Sequence, residues 1–404
     1  MNFVTTVQDL LANFQRRFSS LAAVYRAPGR VNLVGEHTDY NGGFVLPAAI
    51  GFLCSVAIAP RNDRKLVLYS ESFDSSMEAD LDALPRQAAG HWSDYPLGVA
   101  TSLEKSGYRL SGANLYITSD VPLGVGLSSS AAFEVAVGFA LLDTAHFPID
   151  RTRLAQMCQR AENEFVGAHV GIMDPFISCH GRAEHALLLD CRSLDFRFVP
   201  LPAKVKLVIC NTMVKHQHAA GEYNTRRAEC EEGVRLLGKV LPGISALRDV
   251  SLGQLEQHRG LLPDAIYRRC RHVITENDRV QKVASALENG KISDLSPLFA
   301  ASHQSMRDDY EISCPELDIM VALAVGKPGA YGARMTGGGF GGCTINLVAV
   351  KHSMEFQQQV AAEYYTATGL RPDIYVCAAS QGAENVAGDN PPTNLSTGAR
   401  RELA

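Results

Sequence analysis

Between Gly29 and Gly43 the chain packs one arginine, two carboxylates, a histidine, two asparagines and four glycines between apolar runs. Short polar side chains at that density can hydrogen-bond a polyhydroxylated ligand, because each carboxylate accepts from two hydroxyls. Asp39 and Asn41 alone would read as turn residues satisfying local backbone. Arg30 together with Glu36, His37 and Asp39 favours a binding site. A metal centre on Glu36, His37 and Asp39 is the weaker alternative, since no second His or Cys cluster accompanies them.

A second stretch, Pro122–Ala132, sets Gly124, Gly126, Leu127, Ser128, Ser129 and Ser130 between an expected strand and a strong helix. Glycines let the backbone turn its N–H groups towards an anion, and a helix start adds free N–H groups and the positive dipole end. One serine would suffice as an N-cap; three after Gly-x-Gly favour phosphate binding and a share in a Mg²⁺ shell. A serine-hydrolase elbow would need a further glycine after the serine. Met335–Cys343 contains a formal Gly-x-Gly-x-x-Gly, but a strand follows it where a dinucleotide fingerprint opens a helix. Its five glycines leave either an irregular hairpin or a loop that approaches a ligand closely.

Other polar candidates are Glu162 and Gly171-Ile172-Met173-Asp174-Pro175, where the proline predicts Asp174 as N-cap of the next helix. Gly233-x-x-x-x-Gly238-Lys239 is a false phosphate loop, because Val240 replaces the metal-holding hydroxyl and the pattern is helical. His216-Gln217-His218 reads as loop sooner than chelator, and Trp92 and Tyr95 read as helix core.

Those residues need elements to hold them. Strands are predicted at Tyr25–Ala27, Gly43–Ala59, Lys65–Tyr69, Asn114–Ser119, Ala186–Asp190, Lys204–Asn211, Tyr331–Thr336, Cys343–Val350 and Asp373–Ala379. Helices are predicted at Gln8–Phe18, Trp92–Leu103, Ser129–Thr144, Arg151–Val166, from Pro175, through most of Tyr223–Val325, and at Met354–Ala367. Strand runs with helices grouped between them indicate an α+β protein, not a doubly wound sheet. With 38 basic and 43 acidic residues, the net charge of −5 argues against nucleic-acid or anionic-membrane partners. The ten cysteines form no Cys-x-x-Cys and sit mostly in apolar runs, as reduced thiols of a cytoplasmic protein do.

Taken together, the stretches resemble the galactokinase family of the GHMP small-molecule kinases. Gly29–Pro47 is similar to that family's own first motif, Pro122–Ala132 to the shared nucleotide-phosphate loop and Met335–Gly342 to the third motif. Gly171–Asp174 and Glu222–Arg227 match as well, so the resemblance runs from Ala27 to Gly382. It implies a two-domain GHMP-kinase-like architecture with mixed sheets and helix layers and the active site between domains. The expected divisions are 1–180, 181–382 and a polar tail at 383–404. The implied reaction is ATP-dependent phosphorylation of the anomeric hydroxyl of α-D-galactose, giving galactose 1-phosphate, with Mg²⁺ as cofactor.

Carried onto this chain, the resemblance makes Asp174 the base or orienting group and Arg30 its cationic partner. Glu36, His37, Asp39, Gly171 and Tyr223 would hold the sugar, and Gly124, Gly126, Leu127, Ser128, Ser129 and Ser130 the ATP phosphates. Ser130 and Glu162 would ligate the metal. A monomer or weak homo-oligomer is expected. The chain departs from the family at Pro175, where a glutamine is usual, and at Val170, where a cysteine is usual, which bears on sugar specificity. The alternatives are a sugar-1-kinase for L-arabinose or N-acetylgalactosamine, and a non-catalytic galactose/ATP sensor. The intact Gly126–Ala132 stretch weighs against the sensor.

Overall fold

The computed structural model describes residues 6–215 and 219–386; His216–His218 and most of the expected tail lie outside the described residues. In chain order the strands are β1 (Ala23–Asn32), β2 (Phe44–Val45), β3 (Pro47–Pro60), β4 (Lys65–Ser70), β5 (Ser75–Asp80), β6 (Ala113–Ser119) and β7 (His185–Asp190). They continue with β8 (Phe196–Pro200), β9 (Val205–Lys215), β10 (Ala330–Thr336), β11 (Gly341–Ala349), β12 (Asp373–Cys377) and β13 (Glu384–Val386). The helices are α1 (Val7–Phe18), α2 (Asp94–Lys105), α3 (Ser129–Thr144), α4 (Arg151–Arg160), α5 (Met173–His180) and α6 (Ala219–Leu237). After them come α7 (Leu252–Gln257), α8 (Asp264–Glu288), α9 (Leu295–Asp308), α10 (Pro315–Val325) and α11 (Ser353–Thr368).

The strands form three sheets, ordered β13-β1-β3-β6-β4-β5, β10-β11-β9-β12 and β2-β7-β8. The first is mixed, since β4 runs parallel to β6 while its other pairs are antiparallel. Helices grouped on these sheets make the fold α+β. Helix α3 is rich in Ala and Val and buried on nearly every side, the signature of an interior helix. It packs on β1 and β3, with α2, α4 and α5 around it.

One glycine brings β1 against the serine-rich loop. A Cβ at Gly29 would lie 2.7 Å from the Leu127 carbonyl oxygen, and the next amide, Arg30 N–H, donates to that same oxygen at 3.1 Å. Arg30 therefore sits inside a strand, not on the expected turn.

The predicted strand Gly43–Ala59 divides into β2 and β3, in different sheets. The break follows Leu46, whose backbone exchanges hydrogen bonds with Leu33 and Val34. Strand β5 has no apolar run to announce it, being an exposed edge with alternating polar residues. Strand β13, within the expected tail, pairs with Val24–Arg26 of β1. Among the described residues no helix is long and apolar enough to cross a membrane. All ten cysteines are free, and only Cys191 is partly exposed.

Glu134 contradicts the apolar character of α3. It is fully buried, neither carboxylate oxygen has a partner, and burial, reinforced by Glu162, pushes its carboxyl well above the ordinary range. The folded protein thus keeps a proton that the unfolded chain has released, so stability falls as pH rises above the ordinary carboxylate range. Glu134→Gln should raise the melting temperature at pH 8 by about 2 °C, with the gap closing near pH 4 to 5. Thermal unfolding followed across pH checks this; a lower midpoint for the variant at pH 8 would contradict it.

Candidate active site

Strand β1, the serine-rich loop and α5 converge on one ion pair. Arg30 donates from Nε to Asp174 Oδ1 at 2.8 Å and from Nη2 to Oδ2 at 2.6 Å. Its third nitrogen, Nη1, reaches the Gly126 carbonyl at 2.6 Å. Ser128 Oγ also donates to Asp174 Oδ2. A carboxylate offers about four lone-pair sites, so Oδ2 is filled and Oδ1 keeps one free.

Asp174 is not the N-cap that the proline pattern predicts. The helix starts two residues earlier, at Met173, with Ile172 in the cap position and no side chain capping. The carboxylate turns instead to Arg30 and Ser128, and Pro175, in the first turn, has no N–H to satisfy. Ser128 makes the same exchange. It holds the cap position of α3 in the left-handed conformation (φ 58°) yet caps nothing, its hydroxyl going to Asp174. A non-glycine residue in that conformation is strained, and such strain concentrates at functional sites.

Behind the pair, Glu162 lies in a π-helical turn spanning Ala161–Val166, an irregularity frequent at functional sites. Burial, with the nearby Asp174 charge, pushes its carboxyl up to about 7, while the Ser130 hydroxyl, within hydrogen-bonding reach, pulls it down. A hydroxyl and a buried carboxyl beside a phosphate-type loop are a donor set for a hard divalent cation.

One cavity is lined by the ion pair itself and a second opens beside the serine-rich loop. The polar one, about 160 Å³, is lined by Arg30, Glu36, His37, Asp39, Val170, Gly171, Met173, Asp174, Tyr223, Gly337 and Gly338. Gly171 is required there, since a Cβ would fall 1.7 Å from Asp39 Oδ2. Burial and the Asp174 charge push Asp39 up to about 6. Burial, assisted by His272, holds His37 down at about 3, so its ring is neutral. Its Nε2 faces the Gly338 carbonyl at 3.2 Å and must donate, which leaves Nδ1 to accept from the Tyr40 hydroxyl at 2.8 Å. Tyr223 packs against the same ring at a tilt of 40°, 5.1 Å between centroids.

The apolar cavity, about 340 Å³, opens beside Ser129 and Ser130 and is walled by Phe73, Trp92, Tyr95, Leu123 and Phe133. Phe73 and Trp92 lie nearly parallel, with ring centroids 6.1 Å apart and planes at 6°, within the range of a directly packed aromatic pair. Trp92 Nε1 is buried without a partner. Sequence reasoning missed this wall because aromatic residues at helical spacing look like core. The third glycine stretch is a hairpin loop between β10 and β11 that leans on the serine-rich loop. Cβ atoms at Gly337 and Gly342 would come within 3.3 and 3.2 Å of the Gly126 and Val125 carbonyls.

Other contributors carried no motif at all. Arg334 on β10 is fully buried and binds the Leu33 carbonyl at 2.9 Å and the Glu36 carboxylate. Glu36 also accepts from Gly337 N–H at 3.2 Å. Burial pushes its carboxyl up while Arg334 pulls it down. Only the isolated basic residue in an apolar strand could have flagged Arg334. Among the described residues no three His, Cys, Asp or Glu side chains gather as a metal cluster.

Comparison with known proteins gives concordant matches. The galactokinase galactose-binding signature matches residues 12–60, the GHMP kinase N-terminal domain residues 94–182 and the GHMP kinase C-terminal domain residues 283–365. The chain is 46% identical over 379 residues to galactokinase from Roseiflexus sp. (strain RS-1), covering 94% of this chain and 97% of that one. It is 46% identical over 381 residues to galactokinase from Chloroflexus aggregans, covering 94% and 98%. The crystal structure of Lactococcus lactis galactokinase complexed with galactose superposes with a TM-score of 0.91 at 34% identity, covering 94% of this chain and all of that one.

Asp39 and Asp174 share one field, and this can be measured without any ligand. Carboxyl carbon NMR should show Asp39 titrating near pH 6, and in Asp174→Asn its midpoint should move below 6, because a negative neighbour has been removed. An unmoved midpoint would mean that the two carboxylates do not interact.

Proposed function

Because the chain belongs to the galactokinase family of GHMP kinases, we propose that it transfers the γ-phosphoryl group of ATP to the anomeric hydroxyl of α-D-galactose. The observation that carries this reading is the two-point Arg30–Asp174 pair lining the polar cavity and tied through Ser128 to the serine-rich loop, whose Ser129 and Ser130 line the apolar one. The products are galactose 1-phosphate and ADP.

In this reading the polar cavity takes the sugar. Asp39 and the ring faces of His37 and Tyr223 meet it, while Glu36, largely occupied by Arg334 and Gly337, fixes the wall. Gly171 leaves room for Asp39. The apolar cavity takes the adenine against its aromatic wall, and the backbone from Gly124 to Ser130 wraps the phosphates. The departures from the family are both accommodated. Val170 presents an apolar side chain to the cavity while its carbonyl is held by Gln159 and Asn163, and Pro175 is buried in the first turn of α5.

The residues fit a magnesium ion, because a desolvated carboxyl raised to about 7 beside a serine hydroxyl is relieved by a cation. Ser130 and Glu162 would hold it, and when bound it would neutralise charge on the phosphate oxygens. The protein's own share is positioning and charge compensation, as a loose phosphoryl-transfer transition state requires. Asp174 Oδ1, with its one free lone-pair site, accepts the hydrogen bond of the attacking hydroxyl and then its proton. Arg30 fixes the carboxylate plane and compensates its charge. The whole site lies within one chain, which supports activity as a monomer.

Asp174→Asn should lower turnover by about 10²-fold or more with galactose affinity changed far less, as read by coupled ADP release and calorimetry. Near-normal turnover would remove Asp174 from the chemistry. Across a panel of sugars with ATP, galactose should react fastest. Faster turnover of L-arabinose or N-acetylgalactosamine would overturn the substrate, and absence of sugar-dependent ADP release the enzyme.

A further inference from the structure

We propose that helix α8 is a clamp that sets galactose affinity, with His272, Glu276 and Asn277 acting as positioning residues through the backbone of the loop that bears Glu36, His37 and Asp39. The inference rests on the sugar site described above and adds residues that never line it.

His272 and Glu276, one turn apart, share a face of α8, and Asn277 follows beside Glu276. His272 Nε2 lies 3.1 Å from the Glu36 carbonyl oxygen and donates to it. Glu276 Oε1 accepts from Gly35 N–H at 3.0 Å, and Asn277 Oδ1 accepts from Phe44 N–H at 2.8 Å. His272 and Glu276 are 0% exposed and Asn277 7%, so none of these bonds competes with bulk water. Glu276 is itself fixed by Ser302 Oγ at 2.7 Å and Arg279 Nε at 2.6 Å. Against the cost of burial, Arg279 and Arg334 hold its carboxyl down to about 2, so it accepts as an anion.

The loop needs such support. Gly35 (φ 105°) and His37 (φ 62°) are left-handed, and its regular structure is one short turn at Asp39–Asn41. Several of its backbone groups pair within the loop, whereas Gly35 N–H, the Glu36 carbonyl and Phe44 N–H find their partners on α8. The fit is close, because a Cβ at Gly43 would lie 2.3 Å from Asn277 Oδ1. An apolar helix face would bury the loop but leave those groups unpaired, at a cost of a lost hydrogen bond each. Placing three polar side chains in the interior is expensive, and Asn277 Nδ2 is buried without a partner, yet each of the three spends a bond on the loop. The second half of the chain thereby shapes a pocket whose sugar-facing residues belong mostly to the first.

The test measures wild-type activity on galactose first; its absence would count against the function alone. With that activity present, Asn277→Leu and His272→Phe should each raise the galactose KM by about tenfold while ATP KM stays within about twofold of wild type. Asn277→Asp keeps an acceptor and His272→Gln keeps a donor, so both should return galactose KM to within about threefold of wild type. Should Asn277→Leu fail to fold, Asn277→Ala carries the same expectation. Unchanged galactose KM in the apolar variants overturns the clamp, and so does a parallel rise in both KM values that the conservative variants do not rescue.

Discussion

The site depends on a guanidinium and a carboxylate, brought together from 144 residues apart, sharing two hydrogen bonds. A largely buried ion pair, here with Arg30 enclosed and Asp174 partly exposed, is a poor source of stability, because desolvation offsets much of the attraction. Its position is therefore better explained by chemistry than by folding. Arg30 reaches Asp174 only if β1 approaches the serine-rich loop within touching distance, which Gly29 allows. Asp174 faces Arg30 only if the first turn of α5 begins at Met173. Ser128 then closes the arrangement from a left-handed backbone. Each local irregularity is a concession that lets one carboxylate be held at three points.

Much of this was legible in the sequence. Helix α3 was bounded at Ser129 and Thr144 because an apolar, Ala-rich run between a glycine-serine turn and polar residues has one reading. The polar density from Arg30 to Asp39 and the serine triplet stood out because their residue types are costly to bury without purpose. What failed was whatever tertiary partners decide. Asp174 looked like a cap because capping is the local use of an aspartate before proline, and only the distant Arg30 overrides it. Strand β13 carried no signal, since three residues become a strand only by pairing with the exposed edge of β1. Phe73, Trp92 and Arg334 were silent for the same reason: burial is visible in sequence, but which side of a buried ring faces a cavity is not.

The two halves of the chain are interwoven at the site. Loop residues from the first half are held by α8, by Arg334 on β10 and by Arg248, which donates to the Gly42 carbonyl at 2.9 Å. The chain end returns to add β13 to the first sheet, and Ile50 bridges to Ala379. Glycines at the crossing of the second and third glycine-rich stretches let two backbones meet without side chains between them. A ligand between such loops is enclosed by main chain, so the amides around it are fixed by the fold and need little rearrangement when charge develops.

That enclosure bears on what Asp174 does. With Oδ2 occupied by Arg30 and Ser128, and Oδ1 by Arg30 alone, a hydroxyl can approach from one direction only. The carboxylate plane is fixed by the guanidinium fork, so on the role proposed for Asp174 its free oxygen is aimed before any proton moves. Alignment of nucleophile and leaving group dominates phosphoryl transfer, and a single free lone pair selects geometry better than a freely rotating base would. Asp174 lines the polar cavity, and through Ser128 it is tied to the loop whose Ser129 and Ser130 line the apolar one, so the residue proposed to receive the proton and the loop proposed to hold the phosphates are fixed to one another.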